Sequence, residues 1–383
     1  MLVEFGRHTT STQSRNKFVE TALSYALTYA SAVDHTKIGP ASITILADTD
    51  YYSHSGSSGS GIPRTADRFL DFNVPLQEAH KTGLGSSAAL VTAFTTAVVA
   101  HYAPKEVVNV KSPRVRSRLH NLAQAAHCAA QGKVGSGFDV AAAAFGSCVY
   151  RRFSPSILEG LKEVGARGFS TRLRSTVEDS DPNKRWDATV DKSSSASMPD
   201  SLRLIMCDVD CGSETVGMVK HVLSWKMENL GEAVLLWETL HKGNEDLAMQ
   251  LHRMASQGAS ILEGYSNLRA IILTIRSLIR EMSSKSGVPI EPKVQTDLID
   301  ACCQISGVVG GVVPGAGGYD AIALLVEDKQ DVIDALHRLI ENYRVDAAEG
   351  QGVSIGKVRL LGVKQDDQGV ETEDPTQYNT WLR

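Results

Sequence analysis

The chain has no run of about 18 uninterrupted apolar residues, so no membrane-spanning helix is expected. It has no excess of positive charge: 39 Lys and Arg against 44 Asp and Glu leave a formal net charge of −5. General nucleic-acid binding requires a basic footprint, so that class is set aside. An anionic small molecule would have to be met by a local group of cations. The N-terminal residues, Met1 to Thr12, lack the apolar stretch of a secretory signal. The six cysteines (Cys128, Cys148, Cys207, Cys211, Cys302 and Cys303) have no zinc-site spacing, and the adjacent pair Cys302–Cys303 suits no disulfide framework. Reduced thiols and a cytoplasmic setting are the expectation. A G-x-x-x-x-G-K-[ST] phosphate loop is also absent.

What remains is an ordinary globular composition, 42% hydrophobic and 22% charged over 383 residues, enough for two domains with separate cores. Apolar periodicity predicts helices at 18–32, 88–102 and 118–130, then a long one at 246–284, and others at 292–305 and 329–343. Strands are predicted at 42–47, 69–76, 147–153, 202–209, 308–313, 321–326 and 353–363. The polar stretch 167–200, with Ser193, Ser194 and Ser195, predicts a mobile insertion. The division is therefore 1–165, a linker at 166–200, a second domain at 201–364 and a disordered acidic tail at 365–383. Strands and helices mixed in this order indicate an α+β fold, not a repeated βαβ array.

Three glycine-dense segments carry the chemistry. Lys81, Thr82, Gly83, Leu84, Gly85, Ser86, Ser87 and Ala88 run directly into a predicted helix. Glycines there allow positive φ and close backbone approach. The helix start offers unpaired N–H groups and the positive end of its dipole, a combination suited to phosphate. Ser86 and Ser87 add hydroxyls for a phosphate oxygen or a Mg²⁺ ion. A serine-capped helix after a tight turn is the plainer reading. A dinucleotide fingerprint would need a buried strand just upstream, and residues 77–81 are too polar for one. The second segment, residues 132–138, contains Ser136 and leads to Asp139 at another helix start, where a carboxylate either caps the helix or faces a ligand. The third, with Gly315, Ala316 and Gly317, joins two apolar strands as a hairpin turn or a phosphate-wrapping loop. Lys81, Lys133, Arg151 and Arg152 are the local cations; the two arginines are adjacent in a strand and face opposite ways, so at most one faces a site.

From about residue 16 to residue 363 the chain resembles the phosphomevalonate kinases, fungal and plant type, of the galactokinase/homoserine kinase/mevalonate kinase/phosphomevalonate kinase (GHMP) superfamily. The form Lys-Thr-Gly-Leu-Gly-Ser-Ser-Ala at 81–88 and the stretch from Ala126 to Phe153 carry the likeness. The resemblance implies a two-domain GHMP fold with a ferredoxin-like C-terminal domain. It implies Mg²⁺- and ATP-dependent phosphorylation of 5-phosphomevalonate to 5-diphosphomevalonate, in the mevalonate route to isoprenoids and sterols. It assigns ATP phosphates to Gly83, Leu84, Gly85, Ser86, Ser87 and Ala88, with Mg²⁺ on Ser86 or Ser87. Asp139 and Lys81 take catalytic roles, Asp139 orienting Lys or Mg²⁺. Lys81, Ser136, Ser213, Thr215, Gly315, Ala316 and Gly317 go to the acceptor, and Asp320 is structural. Where mevalonate kinases carry a Mg²⁺-binding glutamate, this chain has His127. The family's first motif, Pro-Gly-Lys followed by Gly-Gly or Glu, has no counterpart in residues 1–80, so the N-terminal domain is expected to be incomplete at its start. A family member that binds without turnover is the second reading.

Overall fold

The computed structural model describes residues 16–34, 37–52, 69, 81–104, 108–161, 163–192, 198–211, 217–257, 261–346 and 353–379. Helix α1 (Lys17–Asp34) buries Ala22, Tyr25, Ala26, Tyr29 and Ala30, the spacing of one helical face. That face meets α2 (Ser86–Tyr102) and α3 (Pro113–Gln131). Proline opens α3, and Gly132 in the left-handed conformation closes it. Between residues 119 and 128 α3 is buried on every side. Its many alanines let neighbouring helices approach, and polar His120, Asn121, Gln124 and His127 are carried into the interior with them. Helix α4 (Phe138–Phe145) starts at Gly137 and packs on α2 and α3.

Of the stretch expected to be a mobile insertion, residues 169–188 instead pack on this first core, and Ser193, Ser194 and Ser195 lie outside the described residues. After β1 (Val149–Arg151), α5 (Phe169–Val177) buries Phe169, Leu173 and Val177, spaced four residues apart, against α1 and α3. The strand β2 (Thr189–Asp191) then pairs antiparallel with β1. The expected strand at 42–47 is not formed. Ile43 and Ile45 are exposed, and that backbone pairs with no strand among the described residues. Alternation alone does not make a strand without a ladder partner. Most of the predicted strand at 69–76 lies outside the described residues.

The second unit opens with β3 (Leu202–Asp210) and continues through α6 (Met218–Glu228), α7 (Leu230–Gln257), α8 (Ile261–Ser286) and α9 (Lys293–Cys302). The single long helix expected at 246–284 is thus two helices, packed against each other. Then come β4 (Val308–Val312), β5 (Ala321–Glu327), α10 (Gln330–Asn342) and β6 (Lys357–Leu360). The sheet order is β4-β5-β3-β6, every pair antiparallel. This is the ferredoxin-like βαββαβ order expected from the sequence, with extra helices in the first crossover. Leu298, Ile299, Leu336 and Ile340 cover one face of the sheet, and Leu268 and Ile272 of α8 cover Leu202, Val309 and Leu325 on the other.

Residues 365–379 do not behave as the expected disordered tail. They return to the first unit and bond to it through backbone atoms. Ser147 N donates to Asp366 O at 2.8 Å and Val370 N to Ala144 O at 3.4 Å. Lys192 Nζ donates to Asp367 O, and Arg116 Nη1 to Gln368 O. Gly146 and Gly369, both at positive φ, pack so closely that a Cβ on Gly146 would lie 2.6 Å from the Asp367 carbonyl carbon. The acidic composition misled here because these residues dock through their own main chain and not through their side chains.

The core also holds a titratable group with a clear pH consequence. His120 is 3% exposed and lies against Phe145 and Trp186, and burial pushes its pKa down to about 4 from 6.5. The folded chain keeps it neutral while the unfolded chain protonates below the ordinary value. The stability it carries is therefore complete above pH 6.5 and is lost as pH falls toward 4, by about 3 kcal/mol in all. Urea unfolding at a series of pH values should show this loss, and His120→Phe should flatten that part of the profile.

Candidate active site

The glycine-rich segment is held from below. Thr82 is fully buried, donates its hydroxyl to Asp50 O at 2.6 Å and its N–H to Tyr51 O at 3.3 Å. The Asp50 carboxylate in turn accepts the Gly362 N–H at 3.0 Å, joining this anchor to the chain just after β6. Burial raises the Asp50 pKa, helped by Asp48, and the Gly362 bond opposes that rise. Above the anchor, Gly85 adopts φ 71, ψ 31 as the residue before α2. Only glycine takes that left-handed turn without cost. A Cβ there would sit 3.5 Å from the Asp139 Cβ, which is van der Waals contact. The first two segments therefore meet: α2 and α4 begin side by side, and Asp139 stands beside the start of α2.

A third group completes the cluster. The Ser87 Oγ lies 3.1 Å from His127 Nε2, and the Asp139 Oδ2 lies 3.9 Å from the same nitrogen. Gln131, one turn further along α3, brings its Nε2 to 3.4 Å of it. Burial lowers the His127 pKa, against the opposing pull of Asp139, so the imidazole is neutral at pH 7. Asp139 itself is oriented by its Oδ1, which accepts the Val140 N–H at 2.9 Å. Phe18 of α1 lies between two of the participants, its ring 5.6 Å from the His127 ring and 5.9 Å from Lys81 Nζ.

The expected acceptor residues are distributed unevenly. Ser136 is exposed in the turn before Asp139. Arg152 lies over that turn, donating to Val134 O at 3.2 Å, whereas Arg151 is exposed and occupies the β1–β2 ribbon. Of the two arginines, Arg152 is thus the one near Asp139. In the third segment, Gly317 N donates to Pro314 O and Gly318 N to Ile290 O, so those amides are used within the fold. A Cβ on Gly317 would strike Ile290 at 2.5 Å, while Gly315 is open. Among the described residues no hydrogen bond or ion pair joins residues 313–318 to 81–88 or to Asp139. Ser213 and Thr215 lie outside the described residues. A cavity of about 840 Å³ lies elsewhere, lined by residues 198–204 and 254–256 with Asp328, Lys364, Gln365 and Asp367.

The arrangement fits a nucleotide with its divalent cation. No set of three or more His, Cys, Asp or Glu residues could by itself hold a metal among the described residues. Mg²⁺ needs no such cage, since one carboxylate and substrate phosphates commonly suffice. Asp139 with the hydroxyl of Ser86 or Ser87 would supply the protein's share. Sequence reasoning did not single out Gln131, Phe18 or the Asp50 anchor. The His127–Gln131 spacing of four on one helix was a readable signal for the first.

Known proteins resemble this chain along most of its length. Residues 57–147 match the GHMP kinases N terminal domain and residues 268–345 the GHMP kinases C terminal domain. The phosphomevalonate kinase of Aspergillus fumigatus is 52% identical over 96% of this chain and 76% of its own length. This chain belongs to the phosphomevalonate kinase family of the GHMP kinases. The Gibberella zeae phosphomevalonate kinase is 47% identical over 96% of the chain and 78% of its own length. The peroxisomal phosphomevalonate kinase of Arabidopsis thaliana is 32% identical over 82% of the chain and 72% of its own length. The solved structure of the Lin0012 protein from Listeria innocua shares the fold at 16% identity, with a TM-score of 0.53 over 92% of this chain and 82% of that one. As a GHMP kinase of this family the chain is an ATP-dependent phosphotransferase. No described helix is long and apolar enough to cross a membrane.

Proposed function

We propose that this protein transfers the γ-phosphoryl group of ATP to the phosphate of 5-phosphomevalonate, giving 5-diphosphomevalonate and ADP. The observation that carries the reading is the meeting of Gly85, Ser87, His127 and Asp139 at the start of α2. An acceptor phosphate oxygen bonds to the γ-phosphorus, and the bond from that phosphorus to the β–γ bridging oxygen breaks. The nucleophile needs no strong base, because the second pKa of a phosphate monoester is about 6 and it is mostly dianionic at pH 7. The protein's task is positioning and charge neutralisation. The start of α2 and the residue 83–88 loop hold the ATP phosphates. Asp139 orients the cationic partners, Lys81 and Mg²⁺, and Arg152 and Lys133, on or beside the turn that precedes Asp139, are further cations for the acceptor. Bound Mg²⁺ would neutralise phosphate charge, with Asp139 and one of the two serines, Ser86 or Ser87, as its protein contacts. Gly315 and Ala316, and Ser136 with Ser213 and Thr215, belong to the acceptor end of this proposal. The six free thiols accord with a cytoplasmic setting for a step of the mevalonate route.

The test is ADP release by the purified 383-residue chain with Mg·ATP, with and without 5-phosphomevalonate, and with mevalonate as control acceptor. Turnover that requires 5-phosphomevalonate and is absent with mevalonate is the expected result. A folded, monodisperse sample without acceptor-dependent turnover would reject the reading.

A further inference from the structure

We infer that His127 is a positioning residue that accepts the hydroxyl proton of Ser87 and thereby turns the Ser87 oxygen lone pairs toward a divalent cation. This rests on the kinase reading above and deepens it. Two groups converge on the same ring nitrogen: Ser87 Oγ at 3.1 Å and Gln131 Nε2 at 3.4 Å. An amide nitrogen can only donate. With Gln131 donating to it, His127 Nε2 is an acceptor, and the hydroxyl beside it must donate as well. The Asp139 carboxylate, 3.9 Å away, is beyond hydrogen-bond reach and does not compete for that nitrogen. His127 is 2% exposed and sits beside the Phe18 ring, so its orientation is fixed by packing.

The direction of one proton decides what Ser87 can bind. A serine whose proton points outward donates to a phosphate oxygen. A serine whose proton is held by an acceptor offers only lone pairs, which suit a hard cation. The imidazole nitrogen is already engaged by two donors, so His127 is not itself the cation's ligand. A neutral acceptor here fixes Ser87 without adding a second carboxylate next to Asp139. Ser86 has no such acceptor beside it among the described residues and keeps its proton for phosphate.

The experiment measures binding, not turnover. The full chain is titrated calorimetrically with adenylyl imidodiphosphate, once with Mg²⁺ and once with EDTA, for the wild type, Ser87→Ala, His127→Leu, His127→Gln and the double variant Ser87→Ala/His127→Leu. His127→Leu should weaken the Mg²⁺-dependent affinity about tenfold and leave the metal-free affinity within about threefold. Ser87→Ala should give the same pattern, and the double variant should be no weaker than Ser87→Ala alone. Glutamine can still accept the serine proton, so His127→Gln should stay within about threefold of wild type. A merely structural role would weaken both titrations alike or make the double variant additive, and either result overturns the inference. If His127→Leu does not fold, His127→Gln carries the test, and loss of its Mg²⁺-dependent affinity is the overturning result. A wild type that fails to bind the Mg²⁺-loaded analogue rejects the kinase reading itself, and the inference falls with it.

Discussion

Replacing Asp139 with alanine should lower kcat by about 100- to 1000-fold while the protein remains folded. Among the described residues the carboxylate is the one acidic group placed at the joint starts of α2 and α4, 3.9 Å from His127 and next to Gly85. Its charge would orient the cations that offset phosphate charge as the γ-phosphoryl group moves, and no other described group could take over that role from the same position. Folding should suffer little. The side chain is about a quarter exposed, and among the described residues the only hydrogen bond it accepts is from Val140 N, at the helix start. Losing such a bond costs on the order of 1 kcal/mol. Asp139→Asn separates charge from shape: it keeps an oxygen for Val140 N but removes the charge, and it should lose most of the same activity. Steady-state ADP release with Mg·ATP and 5-phosphomevalonate, alongside thermal melts, reads both effects. An alanine variant within threefold of wild-type kcat would remove Asp139 from the catalytic machinery.

The parts of this site that were legible in the sequence are those fixed by local geometry. Gly83, Gly85 and Gly137 all adopt positive φ, and glycine is the residue that marks such turns. The helices that follow them showed in apolar spacing and the α+β class in the mixture of strands with helices, while the ferredoxin-like unit came from the family resemblance. What was hidden depends on partners remote in sequence. Ser87 and His127 are 40 residues apart, and Asp50 and Gly362 are 312 apart. The 166–192 segment was misread because Phe169, Leu173 and Val177 are outnumbered by Ser, Arg and Asp, although the three apolar residues alone place α5 in the core. The return of residues 365–370 rests largely on backbone carbonyls and two glycines, and such contacts leave almost no compositional trace. At 42–47 the local signal was present, and no partner strand lies among the described residues.

The largest stability effect is expected from Glu291→Ala, a loss of about 3–5 kcal/mol, because it would strand a buried guanidinium. Arg276 is 1% exposed and Glu291 is 4% exposed. Arg276 Nη2 donates to Glu291 Oε1 at 2.8 Å and Nη1 to Asp300 Oδ1 at 2.7 Å. Arg280 Nη1 and the Thr296 hydroxyl each donate to the same Glu291 oxygen at 3.0 Å. Removing the carboxylate leaves Arg276 with only the half-exposed Asp300 as counter-charge. Removing both partners is a different matter, since an apolar pair of similar volume avoids the desolvation of two charges. Arg276→Met/Glu291→Leu should therefore be less destabilised than the sum of the two single variants, a positive coupling that urea unfolding of all four proteins would measure. The network also reaches the third glycine-rich turn, because the adjacent Ile290 supplies the carbonyl for Gly318 N and the surface against which Gly317 packs. Ser283 Oγ accepts both the Ile290 and Glu291 N–H groups and fixes that segment from α8. A single-variant cost below about 1 kcal/mol would mean that solvent or Asp300 compensates Arg276, and that the turn is held by its glycines alone.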